Sequence, residues 1–133
     1  MRIAIAGSGG KMGRTLIEAV AADASLQLAA AFDMGDDIAK ALAACDALVD
    51  FTRPEGTLAH LEACVAAGKP IVIGTTGFTP QQKARIAAAA GHVPVMLSPN
   101  FAVGVNVVFK LAEAAARVLG EDYDIEVIEA HHR

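Results

Sequence analysis

The chain has 133 residues, 54% of them hydrophobic and 20% charged, and a formal net charge of −4. That is enough apolar matter for one domain with a core, and it excludes a disordered chain. No run of Lys or Arg supplies the basic patch that nucleic acid requires, and no apolar stretch approaches the ~20 residues of a membrane helix, so neither is expected as a partner.

A short buried strand is read at Arg2 to Ala6. It starts at the first residues, which leaves no room for a signal peptide, so a cytoplasmic location is expected. The strand breaks into Gly7-Ser8-Gly9-Gly10-Lys11-Met12-Gly13-Arg14, and a helix follows over Thr15 to Ala22 with Leu16, Ile17 and Val20 on one face. A strand that dissolves into glycines and re-forms as a helix makes an anion site. Glycines let a pyrophosphate approach the main chain, and the helix start offers free N–H groups and partial positive charge. The spacing is Gly7-x-x-Gly10-x-x-Gly13 with Gly9 in addition. Met12 stands where a strict G-x-G-x-x-G would place its third glycine, and Gly13 is read as the small residue that lets helix and strand pack closely.

A second strand, Leu26 to Phe32, ends at Asp33. An acid at that tip is placed to bind the hydroxyls of an adenine ribose, which turns the glycine loop from a flexible turn into a dinucleotide site. Asp36 is read as a helix cap ahead of Ile38, Ala41 and Leu42. A third strand covers Ala47 to Phe51. Thr52-Arg53-Pro54-Glu55 has the form of a capping box opening a helix with Leu58, Leu61 and Val65 on one face, which stops at Gly68-Lys69-Pro70. Ile71 to Ile73 is a fourth strand, ending in Gly74-Thr75-Thr76-Gly77. Thr79-Pro80-Gln81-Gln82 caps a helix to about Ala90. His92 to Leu97 supplies a fifth strand, followed by Ser98-Pro99-Asn100-Phe101. A helix from about Val105 to Leu119 is expected to turn Val108, Leu111, Ala115 and Val118 inward, with Gly120 ending it, and Tyr123 to Glu129 reads as a sixth strand. Cys45 and Cys64 lie in apolar surroundings without C-x-x-C spacing and are read as buried free thiols.

Alternating strands and helices imply an α/β fold, a doubly wound, mostly parallel sheet covered on both faces, with ligands outside the carboxyl ends of the strands. The polar punctuation falls at those ends: Gly7 to Gly13, Asp33, Thr52-Arg53, Gly74-Thr75-Thr76, Ser98-Pro99-Asn100 and His131-His132. Several of these have plainer readings. Lys11 and Arg14 are either surface charges or phosphate neighbours, Thr75 and Thr76 can close a turn, and Asn100 can form one beside Pro99. His131 and His132, adjacent on an extended segment, point to opposite faces. With Glu129 they make a poor metal site, because adjacent histidines rarely share an ion, and no metal is expected.

Four stretches carry a resemblance: Asp50-Phe51-Thr52-Arg53-Pro54; Gly74-Thr75-Thr76-Gly77-Phe78; Pro99-Asn100-Phe101 with Val103-Gly104-Val105-Asn106; and Glu129-Ala130-His131-His132-Arg133. In that order they resemble the 4-hydroxy-tetrahydrodipicolinate reductases, also called dihydrodipicolinate reductases. The resemblance implies a Rossmann-like nucleotide part of an oxidoreductase that uses NADH or NADPH in diaminopimelate and lysine biosynthesis. It places Gly7, Ser8, Gly9, Gly10, Lys11 and Met12 at the dinucleotide. Asp33 and Met34 fall at the adenosine ribose, and Gly74, Thr75, Thr76, Ser98, Pro99, Asn100 and Phe101 along the nicotinamide half. It matches His131 to the proton donor and His132 to a substrate-binding histidine. A histidine suits that step, since its unperturbed pKa of ~6.5 allows donation near neutral pH. Residues 1–129 are thus read as the dinucleotide-binding domain and 130–133 as the start of a catalytic segment.

The family pattern continues beyond Arg133 with a catalytic lysine, an Asp-Ala-Pro-Ser-Gly-Thr loop and a second domain that carries most tetramer contacts of the full-length protein. The 133 residues are therefore expected to bind cofactor without completing the active site. A non-catalytic NAD(P)-binding module is the alternative if the natural protein ends at Arg133, and a flavodoxin-like or sugar-nucleotide domain is a more distant one. Asp33 can accept from both ribose hydroxyls but repels a 2′-phosphate, and Met34 offers no charge to offset this, so a modest preference for NADH is expected.

Overall fold

The computed structural model describes residues 1–128 and 130. The chain divides into two compact units, residues 1–99 and 100–133.

The first unit holds one sheet of five parallel strands in the order β2-β1-β3-β4-β5. The strands are β1 (Arg2–Ala6), β2 (Gln27–Phe32), β3 (Ala47–Asp50), β4 (Ile71–Ile73) and β5 (Val95–Leu97). Helices α1 (Lys11–Ala22), α2 (Ile38–Ala44), α3 (Pro54–Ala67) and α4 (Pro80–Ala89) connect them. Chain order departs from β1 in both directions, first to β2 and then to β3 on the other side. The topological switch point therefore lies between the carboxyl ends of β1 and β3.

Side-chain alternation along β1 sorts the core into two layers. Ile3 and Ile5 join Val20, with Leu16, Ile17 and Val49 packed around them, on the face covered by α1. Ala4 and Ala6 point to the other face, where Leu42, Leu48, Leu58, Leu61, Ile71, Ile73 and Ile86 form the larger cluster under α2, α3 and α4. Small residues in the central strand let helices approach on that side. Fully burying each large aliphatic side chain stabilises by about 1.5–3 kcal/mol.

Helix ends follow local chemistry, with two corrections to the sequence reading. The cap of α2 is Asp37 rather than Asp36: Asp37 Oδ1 accepts from Lys40 N at 3.1 Å, while Asp36 Oδ2 accepts from Asp33 N at 2.8 Å. The Thr52 box does not close, because the Thr52 hydroxyl donates to Asp50 at 2.7 Å, and Arg53 is the N-cap without a side-chain bond. Pro54 at the first position of α3 has no N–H to satisfy. The Thr79 to Gln82 box does close, in both directions. Gly68 ends α3 in the left-handed conformation, φ 64°.

The second unit contains α5 (Val103–Leu119) and a 3₁₀ turn over Gly120–Asp122. Asn100 Oδ1 accepts from Ala102 N at 2.8 Å, and Asn106 Nδ2 donates back to Asn100 O at 3.0 Å, which builds the turn ahead of the helix. Gly120 caps its end. Val108, Leu111, Ala115 and Val118 are not turned into a core: α5 buries none of its residues. One helix and a turn offer no second layer to pack on. The expected sixth strand does not form over residues 123–128, since a strand requires a neighbour to accept its ladder bonds. Its last residue, Glu129, lies outside the described residues.

Candidate functional site

The switch point gathers the ends of β1, β2, β3 and β4. At β1 the chain turns at Gly7 with φ +74°, and Gly7 N and Ser8 N donate to Phe32 O at 2.9 and 3.2 Å. Gly10 N donates to Gly7 O at 3.1 Å, and α1 starts at once, so Lys11 and Met12 belong to its first turn rather than to a loop. Gly13 lies against that turn: a Cβ there would stand 2.0 Å from Gly7 O and 2.9 Å from Ser8 Cα. The close helix–strand packing read from the sequence is therefore present.

The start of α1 fits an anionic group. Gly10 is its N-cap and offers no side chain to the free N–H groups, and no acidic residue occupies the first turn. Gly9 and Gly10 are exposed. The field of the helix favours negative charge at this end.

Asp33 follows β2 and is exposed. Its Oδ2 accepts the Gly9 N–H at 2.6 Å and the Ser8 hydroxyl at 3.3 Å. Met34 is fully exposed. The structure thus brings Gly7, Ser8, Gly9, Gly10, Lys11, Met12 and Asp33 to one place, with Met34 beside them.

At β3 and β4 the backbone is equally close. Thr52 Cγ2 would lie 2.9 Å from a Cβ on Gly7, and a Cβ on Gly74 would overlap the ring of Phe51 at 2.0 Å. Gly74 N donates to Asp50 O at 2.8 Å. Thr75 is buried and Thr76 exposed. Ser98 follows β5, with its N–H donating to Ile73 O at 3.2 Å, and Pro99 closes the first unit. Asn100 and Phe101 belong to the second unit, and His131 and His132 lie outside the described residues.

The sequence reading missed the polar group under this edge. Asp50, the last residue of β3, is fully buried, as is Thr57 on α3. Asp50 Oδ1 accepts the Thr52 N–H at 2.8 Å and the Thr52 hydroxyl at 2.7 Å, and Oδ2 faces His60 Nδ1 at 2.6 Å. Burial pushes the Asp50 pKa up, but the bonds from His60 and Thr52 outweigh it and hold the carboxyl below its ordinary range. The available signal was an acid ending an otherwise apolar strand, with Thr57 and His60 three residues apart on the helix that follows.

Comparison with known proteins identifies the family. The family model described as "Dihydrodipicolinate reductase, N-terminus" matches residues 1–101, and "Dihydrodipicolinate reductase, C-terminus" matches residues 104–133. The chain is 51% identical to the 4-hydroxy-tetrahydrodipicolinate reductase of Dechloromonas aromatica, over 99% of this chain and 58% of that protein. It is also 51% identical to the one from Aromatoleum aromaticum, over 100% of this chain and 56% of that protein. The chain therefore spans under three-fifths of the length of these curated relatives. The matched span of 154 residues in the first is longer than the chain itself, so that relative carries residues inside it that are missing here. Among solved structures, a dipicolinate-bound dihydrodipicolinate reductase from Paenisporosarcina sp. TG-14 superposes with a TM-score of 0.71 at 27% identity, over 86% of this chain and 53% of that one. A putative myo-inositol dehydrogenase from Sinorhizobium meliloti shares the fold, with a TM-score of 0.62 at 19% identity over 86% of this chain and 41% of that one.

Proposed function

This chain belongs to the dihydrodipicolinate reductase family, and from that premise we propose that it is the dinucleotide-binding part of a cytoplasmic reductase of diaminopimelate and lysine biosynthesis. The substrate in this reading is a cyclic dihydrodipicolinate-type imine, and the full-length protein is a homotetramer. The bound NADH or NADPH supplies the hydride.

The chain's own residues hold that cofactor. The start of α1, capped only by Gly10, receives the pyrophosphate beside Gly7 to Met12. Asp33 receives the ribose, with Met34 beside it, and Gly74, Thr75 and Thr76, with Ser98 to Phe101, serve the nicotinamide half. His131 is the proposed proton donor and His132 the substrate ligand. Both roles rest on the resemblance of Glu129 to Arg133 to the family pattern. A placed general acid contributes about 10²–10⁴ in rate.

The observation that carries the reading is the first turn of α1. It has no side-chain cap and no acid, and exposed glycines face it next to a carboxylate ending the second strand. Fluorescence titration with NADH tests it. Saturable binding is expected, weakened at least about tenfold in Gly10→Val, whose branched side chain would occupy the pyrophosphate approach. Equal affinity in the two proteins would remove the glycine loop from the reading.

A further inference from the structure

The cluster around Asp50 lies at the carboxyl end of β3, beside the turn after β3 and the loop after β4. Thr57 Oγ1 donates to Thr75 Oγ1 at 2.8 Å, and Thr57 and Thr75 hydroxyls lie 3.2 and 3.4 Å from Asp50 Oδ1. A consistent proton arrangement runs from the Thr57 hydroxyl to Thr75, and from Thr75, Thr52 and the Thr52 N–H to Asp50 Oδ1. His60 Nδ1–H donates to Asp50 Oδ2. The His60 ring also meets Phe32 in an edge-to-face contact, centroids 5.4 Å apart at 82°. Phe32 is the residue whose carbonyl holds Gly7 and Ser8. One buried carboxylate thus connects the end of β2, the turn after β3, the first turns of α3 and the loop after β4.

Stability alone is a poor reason for this arrangement. Burying a carboxylate costs several kcal/mol of desolvation, and buried ion pairs are often replaceable by apolar side chains without loss. The geometry points to another use, and resting on the nucleotide reading above, we propose that the Asp50–His60 pair with Thr57 is a positioning device that pre-sets Thr75 and its loop for the nicotinamide half of the cofactor. Thr52 presses on Gly7 from the same hub, and Phe32 carries the glycine loop. Asp50 and His60 touch no cofactor in this scheme. They fix the backbone that does.

The discriminating measurement compares NADH with ADP, which lacks the nicotinamide half. Thr75→Val keeps the shape and removes the hydroxyl that joins the loop to Thr57 and Asp50. It is expected to weaken NADH about tenfold while ADP affinity changes less than twofold, and Thr75→Ser is expected to restore NADH binding. His60→Asn, which keeps a donor where Nδ1 stands, should retain NADH affinity, while His60→Leu should lose it in the same selective way. Thr75→Val is the milder test should His60→Leu fail to fold. If the wild-type chain binds NADH and Thr75→Val leaves it unchanged, or weakens NADH and ADP equally, the positioning role is overturned while the nucleotide reading stands. If the wild-type chain binds neither ligand, the nucleotide reading fails and this inference with it.

Discussion

Replacing Gly13 with alanine sets two known magnitudes against each other. In an unobstructed helix interior the change should stabilise, by about 1 kcal/mol of intrinsic propensity. Gly13 is buried in α1, and the added Cβ would stand 2.0 Å from Gly7 O, 2.8 Å from Gly7 C and 2.9 Å from Ser8 Cα. These are backbone atoms that cannot rotate away, so α1 has to retreat from the β1 turn. Overpacking of this kind costs ~1–3 kcal/mol or more. With three backbone atoms involved the upper end applies, and about 2 kcal/mol of net destabilisation remains after the propensity gain. For a urea m-value of ~1–3 kcal/mol/M the unfolding midpoint should fall by about 1 M with m unchanged. The same retreat pulls on the Gly10 N to Gly7 O bond at 3.1 Å, so NADH affinity should fall as well. Gly10→Ala is the graded control: its Cβ would lie 3.3 Å from the same oxygen, a contact that a few tenths of an ångström relieve. Urea titration of the three proteins should rank them wild type, Gly10→Ala, Gly13→Ala. A Gly13→Ala protein as stable as wild type would refute the claim that this glycine is held by backbone contact.

Three further outcomes are expected. Asp50 has its folded-state pKa held below its unfolded-state value, so its contribution to stability is complete above the ordinary carboxylate range and is lost as pH falls through the folded-state value. Urea midpoints measured from about pH 5 down to about pH 2 should fall less steeply for Asp50→Asn than for wild type, and parallel curves would deny Asp50 that role. Cys64 is fully buried, and burial, with smaller repulsion from Cys45 and Asp50, pushes its thiol up to about 12. Native protein should leave Cys64 unmodified by a thiol reagent near neutral pH and expose it on unfolding. Between the free-thiol value and about 12 the folded state keeps a proton the unfolded state has lost, so stability should decline as pH rises through that window. On the nucleotide reading, NADH should bind more tightly than NADPH by about 1 kcal/mol, roughly fivefold. Met34→Arg should move the ratio toward NADPH, and added salt should weaken NADPH more. Paired dissociation constants decide it, and a native site strongly preferring NADPH would mean that Asp33 does not face the ribose.

Strands were legible where the sequence carried a local signal. Arg2–Ala6 and Ile71–Ile73 match their reading at both ends, because apolar β-branched residues there are bounded by Gly, Lys or Pro. The segment from Tyr123 onward also carries apolar β-branched residues, Ile125, Val127 and Ile128, yet forms no strand over residues 123–128, because pairing is a property of two segments and composition reports on one. Thr52 misled for a related reason. Its hydroxyl could serve either the helix N–H groups or a neighbouring carboxylate, and Asp50, two residues back and buried, takes it at 2.7 Å. A buried acid needs donors more than a solvated helix end does. His60 could not be placed from sequence, since its value depends on Asp50 lying on the same sheet face as α3.

The glycine loop and Asp33 are one device. Gly9 exceeds the spacing a dinucleotide loop requires, and the structure supplies a reason for it: a Cβ at Gly9 would stand 2.9 Å from Asp33 Oδ2, the oxygen that accepts the Gly9 N–H at 2.6 Å. A carboxylate bonded to backbone N–H in this way is charge-assisted and holds its geometry without a ligand. Only Oδ2 is used for this. Oδ1 accepts no hydrogen bond among the described residues, which leaves it for a ribose hydroxyl on the nucleotide reading. The same bond gives the expected preference for NADH a mechanism beyond plain repulsion. A 2′-phosphate would have to displace a carboxylate that also braces the loop over the start of α1, so its binding would loosen the pyrophosphate cradle. On this argument Met34→Arg improves NADPH binding by offsetting charge alone, and only a change that also releases Gly9 from Asp33 can bring NADPH to the affinity that NADH has in the native site.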